Sequence, residues 1–238
     1  MTDTKIQNIV NKFNVMAHPQ DLAFHLLLIN YINPTKVLEM GAGAGAWAMA
    51  INELSNTSLK FILIENFRYI DKGFSPPYPW PKNKDNLIEY INETSEKEIN
   101  FEAIDINAAY TYTLDLKDVS LIRWDCDIPE PKENISKILE NTPDNLILIV
   151  DDIRPNYCFH RLLTMIDLVR ENKLSLLWMG IEESAWVKST FDKTEILNHL
   201  ENYSDNFSFF QRGINNFLND TIWEYIRTQD LEFSKLFK

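Results

Sequence analysis

An apolar stretch, Val37-Leu38-Glu39-Met40, runs straight into Gly41-Ala42-Gly43-Ala44-Gly45 and on to Ala46-Trp47, and nothing else in the chain constrains its fold as tightly. Glycines at three alternate positions leave the backbone free of Cβ atoms where a strand must reverse sharply and where a ligand must lie against peptide groups. The segment that follows, roughly Ala46 to Leu54, reads as a helix whose first N–H groups lack intrahelical partners and point at the turn. The turn is read as a binding loop.

A carboxylate completes the pattern. Leu59-Lys60-Phe61-Ile62-Leu63-Ile64 reads as the next strand and ends at Glu65, followed by Asn66. An acid about 20 residues beyond such glycines, at the tip of the second strand, is placed to accept hydrogen bonds from both hydroxyls of a ribose. Gly41, Gly43 and Ala46 also fit the looser G-x-G-x-x-G/A dinucleotide fingerprint. Glu39 separates the two, because a carboxylate there repels a pyrophosphate and holds an ammonium group. The pairing points to an adenosine-containing, cationic ligand.

Glu39-Met40-Gly41-Ala42-Gly43-Ala44-Gly45 resembles motif I (E/D-x-G-x-G-x-G) of the class I S-adenosylmethionine-dependent methyltransferases, and Glu65 falls where that family has its ribose-binding acid. The resemblance spans roughly residues 20 to 227, judged by the order of elements. It implies a Rossmann-like, doubly wound, three-layer α/β/α fold. The expected sheet has seven strands, mostly parallel, with an antiparallel C-terminal edge hairpin. Its implied cofactor set is Glu39, Gly41, Ala42, Gly43, Gly45, Glu65, Asn66, Asp125 and Cys126. Asp125 with Cys126 takes the adenine in this assignment, and Asp127 competes with Asp125 for that place.

At 238 residues and 45% apolar, the chain is expected to form one domain over residues 1–238 with a sizeable core. A net charge of −12 and a pI near 4.8 argue against nucleic-acid binding, which depends on a basic face. Cys126 and Cys158 are too few for a disulfide framework or a cysteine zinc site. The start, Met1-Thr2-Asp3-Thr4-Lys5-Ile6-Gln7, lacks the pattern of a signal peptide, and no apolar run approaches the ~20 residues of a membrane helix. A cytoplasmic protein without a membrane partner is expected.

In chain order, N-terminal helices are expected within residues 5–31, amphipathic before His18 and largely buried from Asp21 to Tyr31. His18 reads as a capping or solvated residue and His25 as a packed one. An insertion at about 70–115 opens on Gly73-Phe74-Ser75-Pro76-Pro77-Tyr78-Pro79-Trp80-Pro81, whose prolines forbid regular structure. Tyr78 and Trp80 are the candidate substrate residues there, and simple packing on the body is the alternative. Residues 74–80 and the N-terminal helix are candidates for a homodimer contact. Asp85 to Glu98 supplies a crossover helix, and Phe101 to Asp118 reads equally as short strands or loop. Val119 to Trp124 is the next convincing strand.

Asn145-Leu146-Ile147-Leu148-Ile149-Val150 is the clearest buried parallel strand, and it ends on Asp151-Asp152. Two adjacent carboxylates at the carboxyl end of a central strand are costly unless a cation, a proton or a donor offsets them. A helix from about Tyr157 to Glu171 carries His160 and Arg161 in its first turns. Leu174 to Met179 is the next strand, with Glu182 and Glu183 just past it, read as a solvated loop or as part of the site. Phe191 to Tyr203 reads as the last long helix, and Phe207 to Gln211 with Thr221 to Arg227 as the terminal strand pair.

Methyl transfer from a sulfonium is an in-line displacement, so the protein must position the nucleophile and see its proton removed. Asp151 and His160 are the catalytic candidates. Asp151 serves either as base or, with Asp152 and an acid from Glu182 or Glu183, as a ligand of Mg²⁺. The aspartate pair resembles the acids of metal-dependent small-molecule O-methyltransferases, which favours a hydroxyl on a small-molecule acceptor. An NAD(P)-dependent oxidoreductase and a non-catalytic cofactor- or partner-binding protein are the rival readings.

Overall fold

Strands whose apolar residues alternate between two faces need cover on both, and this chain supplies it with helices on either side of one sheet. A computed structural model describes residues 3–67, 80–153, 159–180 and 182–204. The strands are β1 (Lys36–Met40), β2 (Lys60–Glu65), β3 (Asn100–Asp105), β4 (Val119–Trp124), β5 (Ile147–Val150), β6 (Leu174–Met179) and β7 (Ser184–Lys188). They form a seven-stranded sheet in the order β3-β2-β1-β4-β5-β7-β6. β7 alone runs antiparallel, wedged between β5 and β6. The order reverses between β1 and β4, which pair in parallel, so a crevice opens at their carboxyl ends.

The helices are α1 (Asp3–Phe13), α2 (Pro19–Ile32), α3 (Ala46–Leu54), α4 (Lys84–Thr94), α5 (Pro131–Asn141), α6 (Phe159–Arg170) and α7 (Thr194–Ser204), with a 3-10 turn at Ala108–Thr113. On one face Val37, Phe61, Leu63, Leu121 and Ile149 pack with α1 to α4 and with Ile196 of α7. On the other, Leu38, Met40, Ile64, Trp124 and Val150 pack with the 3-10 turn, α5 and α6. α2 is buried nearly all round, as a helix with Leu22, Phe24, Leu26, Leu27, Leu28 and Ile29 must be. Proline at its first position and His18, whose Nδ1 accepts from Gln20 N at 3.3 Å, start it, so His18 is a cap. No helix among the described residues is long and apolar enough to cross a membrane.

Three elements depart from the sequence reading. The stretch read as an insertion contains α4 and β3. The latter pairs in parallel with β2 at the sheet's edge, where its Asn100-Phe101-Glu102-Ala103-Ile104-Asp105 pattern is only half covered and so lacks an apolar run. α5 went unread although Pro131, Ile135, Ile138 and Leu139 carry helical spacing. β7 begins where a solvated loop was one reading, and its Glu183 is fully buried. The antiparallel strand of the sheet is thus β7. The pair expected at 207–211 and 221–227 lies outside the described residues.

Candidate active site

β1 delivers Glu39 to the crevice and then breaks at Gly41, which sits at φ +87°. Any Cβ at Gly41 would overlap the Asp125 carbonyl oxygen, so the absence of a side chain lets the turn close on the end of β4. Gly41 N and Ala42 N both donate to the Ile64 carbonyl, at 2.9 and 3.1 Å, which moors the turn to β2 as well. Gly43 N donates to Glu65 Oε2 at 2.8 Å, and a Cβ at Gly43 would strike the Trp80 ring. Glu65 Oε1 accepts from Asn66 N at 2.8 Å and Phe67 N at 3.3 Å. The second-strand acid therefore lies directly against the glycine turn.

A cleft follows the turn. Glu39, Gly41 to Ala44, Trp47, Arg123 and Asp125 line it from the sheet side, and Phe13 to Met16, Trp80 and Tyr90 complete the lining. Its enclosed space is about 60 Å³, and it opens to solvent.

Beneath the cleft lies a buried charge network centred on Arg123, only 3% exposed. Its Nη1 donates to Glu39 Oε1 at 3.0 Å and to Asp125 Oδ2 at 2.8 Å. Its Nε and Nη2 both donate to Glu183 Oε1, at 3.2 and 2.8 Å, and Nη2 also donates to Asp151 Oδ2. Five N–H bonds meet five acceptor contacts, the full capacity of a guanidinium. On the far side, His25 Nε2 stands 2.5 Å from Glu183 Oε2, and His25 Nδ1 accepts from Trp47 Nε1 at 3.0 Å. An indole N–H can only donate, so the histidine's ring proton faces the carboxylate.

Four carboxylates around one guanidinium leave an excess of negative charge out of contact with water. Burial, opposed by Arg123, pushes the Glu39 carboxyl up to about 8. Burial, with the Asp125 charge adding, raises Asp151 well above the usual range. Glu183 goes the other way, down to about 2, because His25 and Arg123 outweigh its burial. Glu39 Oε2 is buried and has no hydrogen-bond partner among the described residues, although its residue lines the cleft.

No protein-family model and no curated protein sequence matches the chain, but solved structures resemble it. A putative caffeoyl-CoA O-methyltransferase from Staphylococcus aureus superposes with a TM-score of 0.54 at 13% identity, over 79% of this chain and 92% of that one. The SAH-bound methyltransferase PaMTH1 of Podospora anserina gives 0.51 at 16% identity, over 73% and 80%. A SAM-dependent O-methyltransferase of Thermotoga maritima gives 0.51 at 14% identity, over 79% and 72%. This is the class I methyltransferase fold. At such identities the likeness is one of architecture, and β7 occupies its place in that architecture between β5 and β6.

Within this methyltransferase fold the expected residues divide. Glu39, Gly41, Ala42, Gly43, Asp125 and Trp80 line the cleft. Gly45 caps α3 in the left-handed region at φ +73°, and Glu65, Asn66 and Cys126 stand just behind the lining. Cys126 accepts Trp124 Nε1 on its carbonyl at 2.7 Å, and burial pushes its thiol up. Asp151 is 3% exposed and does not line the cleft; its Oδ1 accepts from Asp152 N at 2.7 Å. The Glu182 carbonyl accepts from Ile153 N at 2.9 Å and its N–H donates to Asp21 Oδ2 at 3.0 Å, so this segment is tied both to the end of β5 and to α2. Among the described residues no three His, Cys, Asp or Glu side chains are grouped to hold a metal ion. Asp151, Asp152 and Glu182 do not fit Mg²⁺, because a guanidinium already occupies the side of Asp151 where a cation would sit. His160 is half exposed on α6, 3.4 Å from Asp127 Oδ1, and Arg161 Nη1 donates to the Asp151 carbonyl at 3.1 Å. Tyr78 lies outside the described residues. Sequence reasoning passed over Arg123, although a charged residue inside the apolar run Val119 to Trp124 signals buried partners.

Proposed function

We propose that the chain binds S-adenosylmethionine along the glycine turn and transfers its methyl group to a hydroxyl of a small molecule. The observation that carries this reading is Glu39, a buried carboxylate with one oxygen unpartnered at a cleft built on a glycine turn. Such a group favours a ligand that brings a cation, and the cofactor's amino-acid end does. The neighbouring structures, a SAM-dependent and a SAH-bound methyltransferase among them, support the same cofactor.

In this reading Glu39 takes the ammonium group, and Glu65, already braced by three N–H donors, takes the ribose hydroxyls. Asp125 and Cys126 border the adenine, and the Trp80 ring screens the turn from water. When bound, the cofactor supplies an electrophilic methyl carbon, and positioning dominates the rate. The acceptor's proton has two candidate destinations. His160 is the exposed one, oriented by Asp127, whereas Asp151 is committed to Arg123 and serves better to hold the site's shape.

The test is transfer of a tritiated methyl group from S-adenosylmethionine to a panel of phenols, sugars and amines by the full chain. Label in hydroxyl-bearing compounds, reduced in H160A mainly through kcat, is the expected result. Label confined to amines would overturn the hydroxyl assignment, and S-adenosylmethionine binding without transfer to any compound would favour a non-catalytic member of the fold.

A further inference from the structure

A site with paired strand-end aspartates and neighbouring glutamates has the chemistry of an all-oxygen cation site, yet these carboxylates converge on a side chain. Glu39 lies near the end of β1, Asp125 and Asp151 directly follow β4 and β5, and Glu183 directly precedes β7. All four bond to Arg123, whose five N–H groups are saturated. Spread around the guanidinium, the four carboxylates are not grouped closely enough to hold a metal ion, and a guanidinium and a hard divalent cation cannot share one set of carboxylates. Arg123 also stands in β4 itself, with its head 5.6 Å from the Trp47 ring centroid.

We infer that Arg123 is a built-in cation occupying the place of a divalent metal, and that this site works without one. Arg123 is a positioning residue: it binds Glu39 through Oε1 alone and leaves Oε2 unpartnered among the described residues, and it fixes Asp151 and Asp125 at the strand ends. The inference holds whatever ligand the cleft takes, because it concerns how the four carboxylates are neutralised.

The experiment is Mn²⁺ binding to the full chain, followed by electron paramagnetic resonance, in wild type, R123M and R123M/D151N. Methionine keeps an apolar stem in β4 and removes the guanidinium. Wild type is expected to leave the free-Mn²⁺ signal unchanged, R123M to gain a stoichiometric Mn²⁺ site, and R123M/D151N to lose it. If R123M does not fold alone, recovery of its cooperative melt by Mn²⁺ is the same result read through stability. Stoichiometric Mn²⁺ in wild type that D151N abolishes would overturn the inference. So would an R123M protein that neither binds Mn²⁺ nor is refolded by it.

Discussion

Glu39 has one oxygen bonded to Arg123 and the other buried without a partner, so its proton is the cheapest way to relieve the cluster's negative excess. Its carboxyl is raised from 4.5 to about 8, which means the folded protein holds a proton that the unfolded chain has released. The stability from that proton is complete below pH 4.5 and is lost as pH rises through about 8. In E39Q this slope disappears. Thermal melts from pH 5 to 9 should fall more steeply for wild type than for the variant, and parallel curves would contradict the assignment. Gly41 makes a different prediction. With φ at +87° and the Asp125 carbonyl where a Cβ would be, G41A both strains the turn and pushes β4 away. It is expected to cost about 1–3 kcal/mol in urea denaturation and to weaken ligand binding, whereas a neutral G41A would mean the turn is looser than described. Both residues were legible beforehand, because a glycine motif and its leading acid are local. Arg123 was not read, because its meaning lies in four partners spread over residues 39 to 183.

The same contrast holds for elements. β1, β2, β4 and β5 were readable because buried parallel strands are apolar on both faces, and β6, an edge strand, because its run Leu174-Ser175-Leu176-Leu177-Trp178-Met179 is apolar nearly throughout. The helix after the glycine turn was read to its exact observed limits, Ala46–Leu54. β3 escaped because an edge strand alternates polar residues. β7 escaped because it is short and follows two acids, and only pairing with β5 and β6 buries it. Its Trp186 is fully buried, packs into the core beneath α5 and α6, and donates from Nε1 to Ser184 Oγ at 2.8 Å. Truncating a side chain of that size leaves a cavity as well as losing its transfer energy. W186A is therefore expected to lose about 3–5 kcal/mol in chemical denaturation. A loss under about 1 kcal/mol would show that β7 does not hold the sheet together.

For the whole molecule, the site sits where the sheet's order reverses, and the chain brings to that point a glycine turn, the second-strand acid bonded to it and a knot of carboxylates around one guanidinium. An acidic chain with a net charge of −12 gathers more negative charge there than its own arginines offset, which suits a ligand carrying positive charge. The turn and Glu65 foretold the cleft, and Trp80 was already a candidate for it; that Asn14 to Met16 complete its lining did not emerge from sequence, since they meet the turn only in the folded chain. The central claim is that this cleft holds the methyl donor. Calorimetric titration of the full chain with S-adenosylhomocysteine tests it most directly, repeated on E39A and E65A. Micromolar binding to wild type, lost in both variants, is the predicted result. No binding to wild type, or binding that both variants retain, would contradict the account.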